Sequence, residues 1–514
     1  MSDVAMAYLE MRGNREVTEM AKVVLVDPRG WQGAVNGSRP YPNVGIAYLV
    51  PMLRKYGHEV LVIDLNNLAM TDDQVLTAID GYRPDIVGFS AKTATMKSAR
   101  SLAEQVKNLL PQVPVILGGS HTTLAWRELA AEPWFDVVFV GEGEQVLPTI
   151  CRQLMADEPI EDLPGVVTRH NSKDAFRLNR PLIAAADLNV LPFPEYDLFP
   201  PNVWESIRMT YPLLTSRGCV YDCTYCSVPE ISGKGFRKRS PKSVIEELRC
   251  AQEKYGITAF EIIDDVFNLD IRRCKEICRA LIGAALGMSW SCPNGLRADR
   301  VDPELAELMF RSGCRSVMVG IESADPVVLA TVKKGETIED IERSIRIFKE
   351  AGINVGGYFI IGLPGDSLES QKRSVDFAKR MGIGGHFNML VPYPGTELWE
   401  WAKANARFLS DPEDGLHFAD SSDKVKPVIE TDDFPASERR RAYEMVHTRL
   451  GRFDMLIPRN LRAWQYHRRM LRLLWNYDRL RLPAYVSRAV GGMAKGVWRR
   501  LRTLATSAAR WSQP

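Results

Sequence analysis

From residue 22 onward, short apolar runs alternate with longer stretches in which apolar residues recur at helical spacing. Compact runs rich in Val, Ile and Leu read as strands buried on both faces, and the longer periodic stretches read as amphipathic helices. Strands are predicted at 22–27, 58–64, 85–90, 113–119 and 136–140. Helices fall between them at 46–56 (closed by Gly57), 72–81, 96–110 and near 124–131. Five strands alternating with helices predict a doubly wound parallel sheet over residues 21–155, preceded by an extension at 1–20. Ligands of such a sheet meet the loops at the strand C-termini.

Residues 156–210 carry a strand-like run at 165–169 together with Pro181, Pro192, Pro194, Pro200 and Pro201, which predicts an ordered but non-repetitive linker. A second alternation then begins. Strands are predicted at 213–216, 260–264, 289–293, 316–321, 355–361 and 385–391, with helices at 240–255, 271–286, 303–312, 338–351 and 368–381. Six strand–helix units over 211–410 predict a partial (β/α)6 barrel of the TIM type, with its chemistry at the strand C-termini. Residues 411–458 are charged and helical in pattern and read as a cap on the barrel mouth, followed by a tail at 459–514.

Composition adds the compartment. The chain has 514 residues, 45% hydrophobic and 25% charged, ordinary for a protein with large buried cores. Nine cysteines, an odd number without a regular framework, argue for a reducing compartment. Asp3, Glu10 and Glu16 interrupt the N-terminus, so no signal peptide is expected, and no run approaches the ~18 apolar residues of a membrane span. A cytoplasmic location follows as the expectation. Residues 459–514 hold 13 Lys and Arg against one acid, Asp478, leaving −10 on the remainder of a chain whose total is +2. With Trp464, Trp475, Trp498 and Trp511 among these cations, the tail suits peripheral contact with an anionic membrane surface. A brace on the acidic body of the same chain competes with that reading, and nucleic acid is the least expected partner.

The sharpest chemistry is in Thr215-Ser216-Arg217-Gly218-Cys219-Val220-Tyr221-Asp222-Cys223-Thr224-Tyr225-Cys226. Cys219, Cys223 and Cys226 are spaced C-x3-C-x2-C, and thiolates are soft ligands for zinc or iron–sulfur clusters. A structural zinc would want a fourth Cys or His, and within forty positions only Cys250 is available. Three ligands suit a [4Fe–4S] cluster with one iron left open to another molecule. Cys274 and Cys278, at helical spacing, read as ordinary buried side chains.

This loop, at the head of a six-unit barrel, resembles that of the radical S-adenosylmethionine enzymes. The resemblance implies that Cys219, Cys223 and Cys226 hold the cluster, and that Tyr225 packs on the adenine of S-adenosylmethionine. It places Asp264 and Asp265, in an Asp-Asp-x-Phe pattern, at the α-ammonium, Arg297 at the methionine carboxylate and Glu322 at the ribose hydroxyls. Gly362, in Gly357-Tyr-Phe-Ile-Ile-Gly362-Leu-Pro-Gly365, would admit the adenine base, and Pro392-Tyr393-Pro394-Gly395-Thr396 follows the sixth strand. Any one acid at a strand end could equally cap a helix.

The first sheet carries its own ordered set: Tyr41-Pro42-x-x-Gly45, Gly57-His58-x-Val60, Pro84-Asp85-x-Val87-Gly88, Gly118-Gly119-x-His121 and Gly141-Glu142-Gly143-Glu144. Together these resemble the cobalamin-binding domain found in a branch of the same family. Ser90, Thr93, Gly118, Gly119, Gly141, Glu142 and Gly143 are then the expected cobalamin contacts. The cobalt-ligating histidine of the Asp-x-His-x-x-Gly motif is missing, since the segment reads Asp27-Pro28-Arg29-Gly30-Trp31-Gln32-Gly33. The lower cobalt face is expected to be unligated or met by another group, and His121 to be a satisfied loop histidine.

The resemblance implies an enzyme with a [4Fe–4S] cluster, S-adenosylmethionine and methylcobalamin, methylating an unactivated carbon of a small-molecule or lipid-like substrate. An external donor of the flavodoxin or ferredoxin type would reduce the cluster. No side chain is assigned a catalytic role, because the cofactors carry the hard chemistry. Radical cyclisation without methyl transfer, as in the anaerobic cyclase of bacteriochlorophyll synthesis, is the alternative reaction. A non-catalytic cobalamin or redox sensor is the alternative class.

Overall fold

The computed structural model describes residues 20–30, 40–168, 177–178, 185–414 and 426–450. The expectations for residues 1–19 and for the tail at 459–514 fall outside the described residues. Among the described residues, no helix is long and apolar enough to cross a membrane.

β1 (Lys22–Asp27), β2 (Glu59–Asp64), β3 (Ile86–Ser90), β4 (Val115–Gly118) and β5 (Val137–Phe139) form the predicted sheet in the order β2-β1-β3-β4-β5, all parallel. Helices α1 (Val44–Lys55), α2 (Asp72–Tyr82), α3 (Met96–Leu109) and α4 (Ser120–Leu129) connect them. Helix α5 (Leu147–Met155), not predicted, follows the fifth strand. The strand-like run at 165–169 forms β6 (Val166–Thr168), and with the unpredicted β7 (Arg177–Leu178) it extends the sheet antiparallel. The alternation in β1 shows why the sheet is covered twice. Val23 and Leu25 enter one apolar cluster, and Val24 and Val26 enter another on the opposite face.

The second sheet runs β8 (Tyr211–Leu213), β11 (Ala259–Ile262), β12 (Ser289–Leu296), β13 (Cys314–Glu322), β14 (Asn354–Ile361) and β15 (Gly384–Met389), parallel and in sequential order. Its crossover helices are α8 (Pro241–Tyr255), α9 (Ile271–Ala284), α10 (Pro303–Arg311), α12 (Ile338–Glu350) and α13 (Leu368–Met381). Short helices also occur: α6 (Pro201–Met209) before β8, α7 (Val228–Ser232) after the cysteines, and α11 (Pro326–Thr331) after β13. The expected strand at 213–216 is divided. β8 ends at Leu213, and β9 (Ser216–Arg217) turns away to pair antiparallel with β10 (Arg237–Lys238).

The two sheets are not separate globules. One continuous apolar cluster takes in Val23, Ile46 and Phe139 of the first sheet, Tyr196, Phe199 and Val203 of the linker, and Tyr211, Phe260 and Trp290 of the barrel. Tyr196 is fully buried and stacks edge-on against both Tyr211 and Tyr255. After α14 (Glu397–Asn405), the short pair β16 (Arg407–Phe408) and β17 (Ile429–Glu430) leads to α15 (Ala436–Leu450). Within the expected cap at 411–458, α15 lies against α13 and the strands β15 and β14, and Arg439 donates to the Gly362 carbonyl, just past the end of β14, at 3.3 Å.

Candidate active site

The cysteine loop is tied down at its root before the first cysteine. Thr215 N–H donates to Asp264 Oδ1 at 2.6 Å and Ser216 Oγ to Asp264 Oδ2 at 2.6 Å, while Thr215 Oγ1 also donates to Asp264 Oδ2. Gly218 N–H donates to Asp265 Oδ2 at 2.8 Å. Gly218 has φ +86°, and a Cβ there would stand 2.2 Å from the Gly235 carbonyl oxygen, so only glycine fits. These contacts correct one expectation. Asp264 is 1% exposed and both its oxygens are taken by the loop root, so it braces the loop rather than facing an ammonium group. Burial pushes both aspartate carboxyls above the ordinary range.

Beyond the root, Cys219 is buried and Cys223 and Cys226 are half-buried. Thr224 N–H donates to the Val332 carbonyl at 3.1 Å, and the Thr224 carbonyl accepts from Leu398 N–H at 2.9 Å, so the loop is hung between α11 and α14. Burial raises all three thiols, Cys226 to about 12, with Cys223 and Cys219 adding to the effect. The three sulfurs are thus electrostatic neighbours. Among the described residues, however, no three His, Cys, Asp or Glu converge closely enough for a single metal ion. The three thiols come from one short loop, the ligand supply of a cluster with one iron left open.

Facing the loop is a charge group that sequence reasoning missed in part. Glu322 closes β13 in the left-handed region at φ +63°. Its Oε1 accepts from Lys334 Nζ at 2.7 Å, and the Tyr225 hydroxyl bonds to the same carboxyl group. Lys334 Nζ is also 3.6 Å from Glu336 Oε2, and Glu336 Oε1 accepts from Ala298 N–H at 2.7 Å. Burial disfavours the Lys334 ammonium, yet Glu322 and Glu336 outweigh it and hold the group above the usual lysine range. Gly320 makes room, since a Cβ there would lie 2.6 Å from Lys334 Nζ. Lys334 carried no motif signal, because its role depends on folding back twelve residues onto β13.

Arg297 completes the group. Its guanidinium lies 3.4 Å from the centre of the Tyr221 ring, inside the cysteine loop, and its Nη1 donates to the Lys334 carbonyl at 3.0 Å. Its Nη2 is buried with no hydrogen-bond partner. An unpaired guanidinium nitrogen in a buried site fits a carboxylate supplied by a ligand. Gly362 is different. Arg439 Nη1 sits where a Cβ of residue 362 would be, at 2.1 Å, so the glycine admits an arginine and leaves no open slot for a base. Burial lowers Arg439 to about 10.

In the first sheet, the expected contacts gather at the C-terminal ends of β3, β4 and β5, but several are already employed. Gly119 (φ +107°) would place a Cβ 2.4 Å from the Ala91 carbonyl oxygen, whereas a Cβ at Gly118 would be in ordinary contact with the Phe89 carbonyl oxygen at 4.0 Å. Thr93 Oγ1 is 3.1 Å from His121 Nδ1, and Gly141 N–H donates to Thr123 Oγ1 at 3.0 Å. His121 Nε2 is 3.2 Å from Glu413 Oε1, so both ring nitrogens have partners, as expected of a satisfied loop histidine. The Glu142 carboxylate is taken by Arg217 and Arg237 of the barrel unit. Ser90 Oγ meets Asn43 Nδ2 at 3.3 Å, and Gly118, Gly141 and Gly143 keep partly exposed backbone. The partly exposed backbone at Gly118, Gly141 and Gly143 fits the approach of a large flat group.

Below this edge, Asp27 and Asp64 are buried together, bridged by amides: Asn43 Nδ2 and Asn66 Nδ2 each reach Asp27 at 2.7 Å, and Asn67 Nδ2 reaches Asp64 at 2.6 Å. Burial, then the Asp27 charge, raises Asp64 to about 7. The folded carboxyl therefore keeps its proton where the unfolded one, near 3.8, has lost it, and stability falls as pH rises from about 4 to 7. Urea midpoints should drop over that interval in the natural chain by more than in Asp64→Asn. Parallel profiles would sink this reading.

Two family models match the chain, a B12 binding domain over residues 35–150 and the Radical SAM superfamily over residues 213–378. An uncharacterized methyltransferase of Pyrococcus horikoshii is 34% identical over 375 residues, covering 72% of this chain and 80% of the relative. The cytidylyl-2-hydroxyethylphosphonate methyltransferase of Streptomyces wedmorensis is 26% identical, covering 79% and 85%. Among solved structures, the radical S-adenosylmethionine methyltransferase TsrM of Kitasatospora setae superposes with a TM-score of 0.63 at 20% identity, over 84% of this chain and 88% of that one. The sheet whose strand ends carry Gly118 and Gly119, and the barrel whose first strand feeds the three cysteines, are the two halves these models describe. The chain belongs to the radical S-adenosylmethionine enzymes that carry a B12-binding domain.

Proposed function

We propose that this enzyme methylates an unactivated carbon of a small-molecule or lipid-like substrate, with Cys219, Cys223 and Cys226 as the ligands of a [4Fe–4S] cluster. When bound, the cluster supplies the electron that opens S-adenosylmethionine to methionine and a hydrogen-abstracting 5′-deoxyadenosyl group, and cobalamin carries the methyl. The observation that carries the reading is the buried, unpaired Arg297 Nη2 beside the cysteine loop. Arg297 binds the methionine carboxylate there. Asp265 and Glu322 remain the acids near the loop that can orient the amino group and the ribose, with Lys334 holding the Glu322 carboxyl in place. Tyr225 lends its ring to the adenine while its hydroxyl holds Glu322. In the first sheet, Ser90, Gly118, Gly119, Gly141 and Gly143 present the surface for cobalamin. Thr93 and Glu142 act on that surface indirectly, through His121 and through the two arginines. The methyltransferase names of the relatives at 34% and 26% identity support methyl transfer, while the anaerobic magnesium-protoporphyrin IX monomethyl ester cyclase of Rubrivivax gelatinosus, also 26% identical, supports cyclisation as the second reading. Electrons come from an external donor of the flavodoxin or ferredoxin type.

The test is product analysis under anaerobic conditions with cobalamin, reductant and S-adenosylmethionine, using a small-molecule extract as substrate source. Methylation yields S-adenosylhomocysteine and 5′-deoxyadenosine together with a product heavier by one CH2. Formation of 5′-deoxyadenosine without S-adenosylhomocysteine would replace methylation by cyclisation. No consumption of S-adenosylmethionine would leave a sensor.

A further inference from the structure

Arg217, two residues before Cys219, does not face its own barrel. Its Nη1 lies 2.9 Å from Glu142 Oε2 and its Nη2 2.7 Å from Glu144 Oε1, both in the loop after β5 of the first sheet. The β9–β10 pairing sets Arg237 directly opposite Arg217. Arg237 Nη1 donates to the same Glu142 Oε2 at 2.8 Å, and its Nη2 to Glu142 Oε1. Arg237 also donates to the carbonyls of Ala185 at 3.2 Å and Ser232 at 3.3 Å. All four charged side chains are between 8% and 14% exposed, and the Arg217 guanidinium lies 5.2 Å from the centre of the Tyr48 ring, on α1.

Two arginines and two glutamates in a nearly dry knot are a poor way to glue surfaces, because desolvation offsets most of the attraction. The continuous apolar cluster through Tyr196 already joins the two sheets. The knot adds direction. A guanidinium presents its donors in a rigid planar fork, and a carboxylate shared between two forks has one acceptable orientation. The loop on the barrel side has no slack, because Gly218 is pinned against Gly235 and its N–H is held by Asp265. A shift of the Gly141–Glu144 loop therefore reaches Cys219 through two residues.

We propose that Arg217, Arg237, Glu142 and Glu144 form an interdomain latch that sets the position of the cysteine loop relative to the loop after β5. Resting on the function proposed above, these are positioning residues that hold the two cofactor sites in register. Opening the latch uncouples cleavage of S-adenosylmethionine from methyl transfer.

Glu144→Gln and Arg237→Met are the probes, made in the full chain, with Glu142→Gln as a control for direct cobalamin contact. Backbone hydrogen exchange, read without substrate or cofactors, should speed at least tenfold at both 141–144 and 216–226 in each probe variant. Iron content and 5′-deoxyadenosine formation should stay within about twofold of the natural enzyme, while methylated product per 5′-deoxyadenosine falls at least tenfold. Exchange unchanged at 216–226 would overturn the latch. So would both products falling together in step with the melting temperature, which marks a plain structural role. Loss of cobalamin binding in Glu142→Gln with Arg237→Met unaffected would make Glu142 a direct ligand and also overturn it. If the natural chain cleaves no S-adenosylmethionine, the proposed function fails, while the exchange result still decides the latch.

Discussion

Cys223→Ala is expected to lose the broad iron–sulfur absorbance and all cleavage of S-adenosylmethionine, while the chain stays folded. The fold does not depend on the thiol: Cys223 is half-buried, and the loop around it hangs on backbone bonds from Thr224 to Val332 and Leu398. The chemistry depends on it entirely. Three thiolates leave one iron open, and two cannot keep the cluster in place. Burial raises each thiol, which disfavours thiolates unless a cation such as iron stabilises them. Cys250, the next cysteine in sequence, is exposed on α8 and not in the loop. Iron analysis and 5′-deoxyadenosine yield should both fall to background, with circular dichroism unchanged. A Cys223→Ala protein that still cleaves the cofactor sinks the cluster assignment.

Lys334→Met should be strongly destabilising. Lys334 is 6% exposed between Glu322 and Glu336, 7% and 5% exposed. Removing the ammonium leaves two carboxylates buried near one another with Arg297 as the remaining neighbouring cation, at 3.6 Å from Glu336. Breaking a buried pair by deleting one partner costs about 3–5 kcal/mol. Because one apolar core joins the barrel to the first sheet, the cooperative unit is roughly 400 residues and this corresponds to a fall of about 5 °C in melting temperature. The deficit should shrink at pH 5, where the stranded carboxyls can take up protons, and grow at pH 8. Adding Glu336→Gln should recover part of it, because the second uncompensated charge is gone. A melting temperature unmoved by Lys334→Met would mean that water reaches this group freely.

Much of this architecture was readable from periodicity. The runs at 22–27 and 86–90 are apolar on both faces because a parallel sheet covered by helices buries both faces, and this is a local pattern in the chain. The spacing of Cys219, Cys223 and Cys226 was equally legible, since ligands from one short loop leave their signature at fixed offsets. The strand β6 was legible as an apolar run at 165–169, but β7 was not, because a two-residue strand carries too few positions to show a period, and neither showed that it joins the first sheet antiparallel.

The partners of charged side chains were decided elsewhere. Asp264 and Glu142 stood in the sequence as ligand contacts by position, yet one braces Thr215 and Ser216 and the other is clasped by Arg217 and Arg237. Gly362 read as room for a base and is room for Arg439, which is 77 residues further along the chain. Lys334 gave no sign at all, and its ammonium donates to Glu322 at the centre of the site. The physical reason is the same in each case. Hydrophobic period reports which face of an element leaves water, and that is settled within a dozen residues. A carboxylate or guanidinium can be satisfied by any donor or acceptor within reach, so its partner is chosen only when distant segments pack. By itself the sequence determined the two sheets, their order and the thiol set. The tertiary structure alone decided which acids are free for a ligand and which ones hold the two halves together.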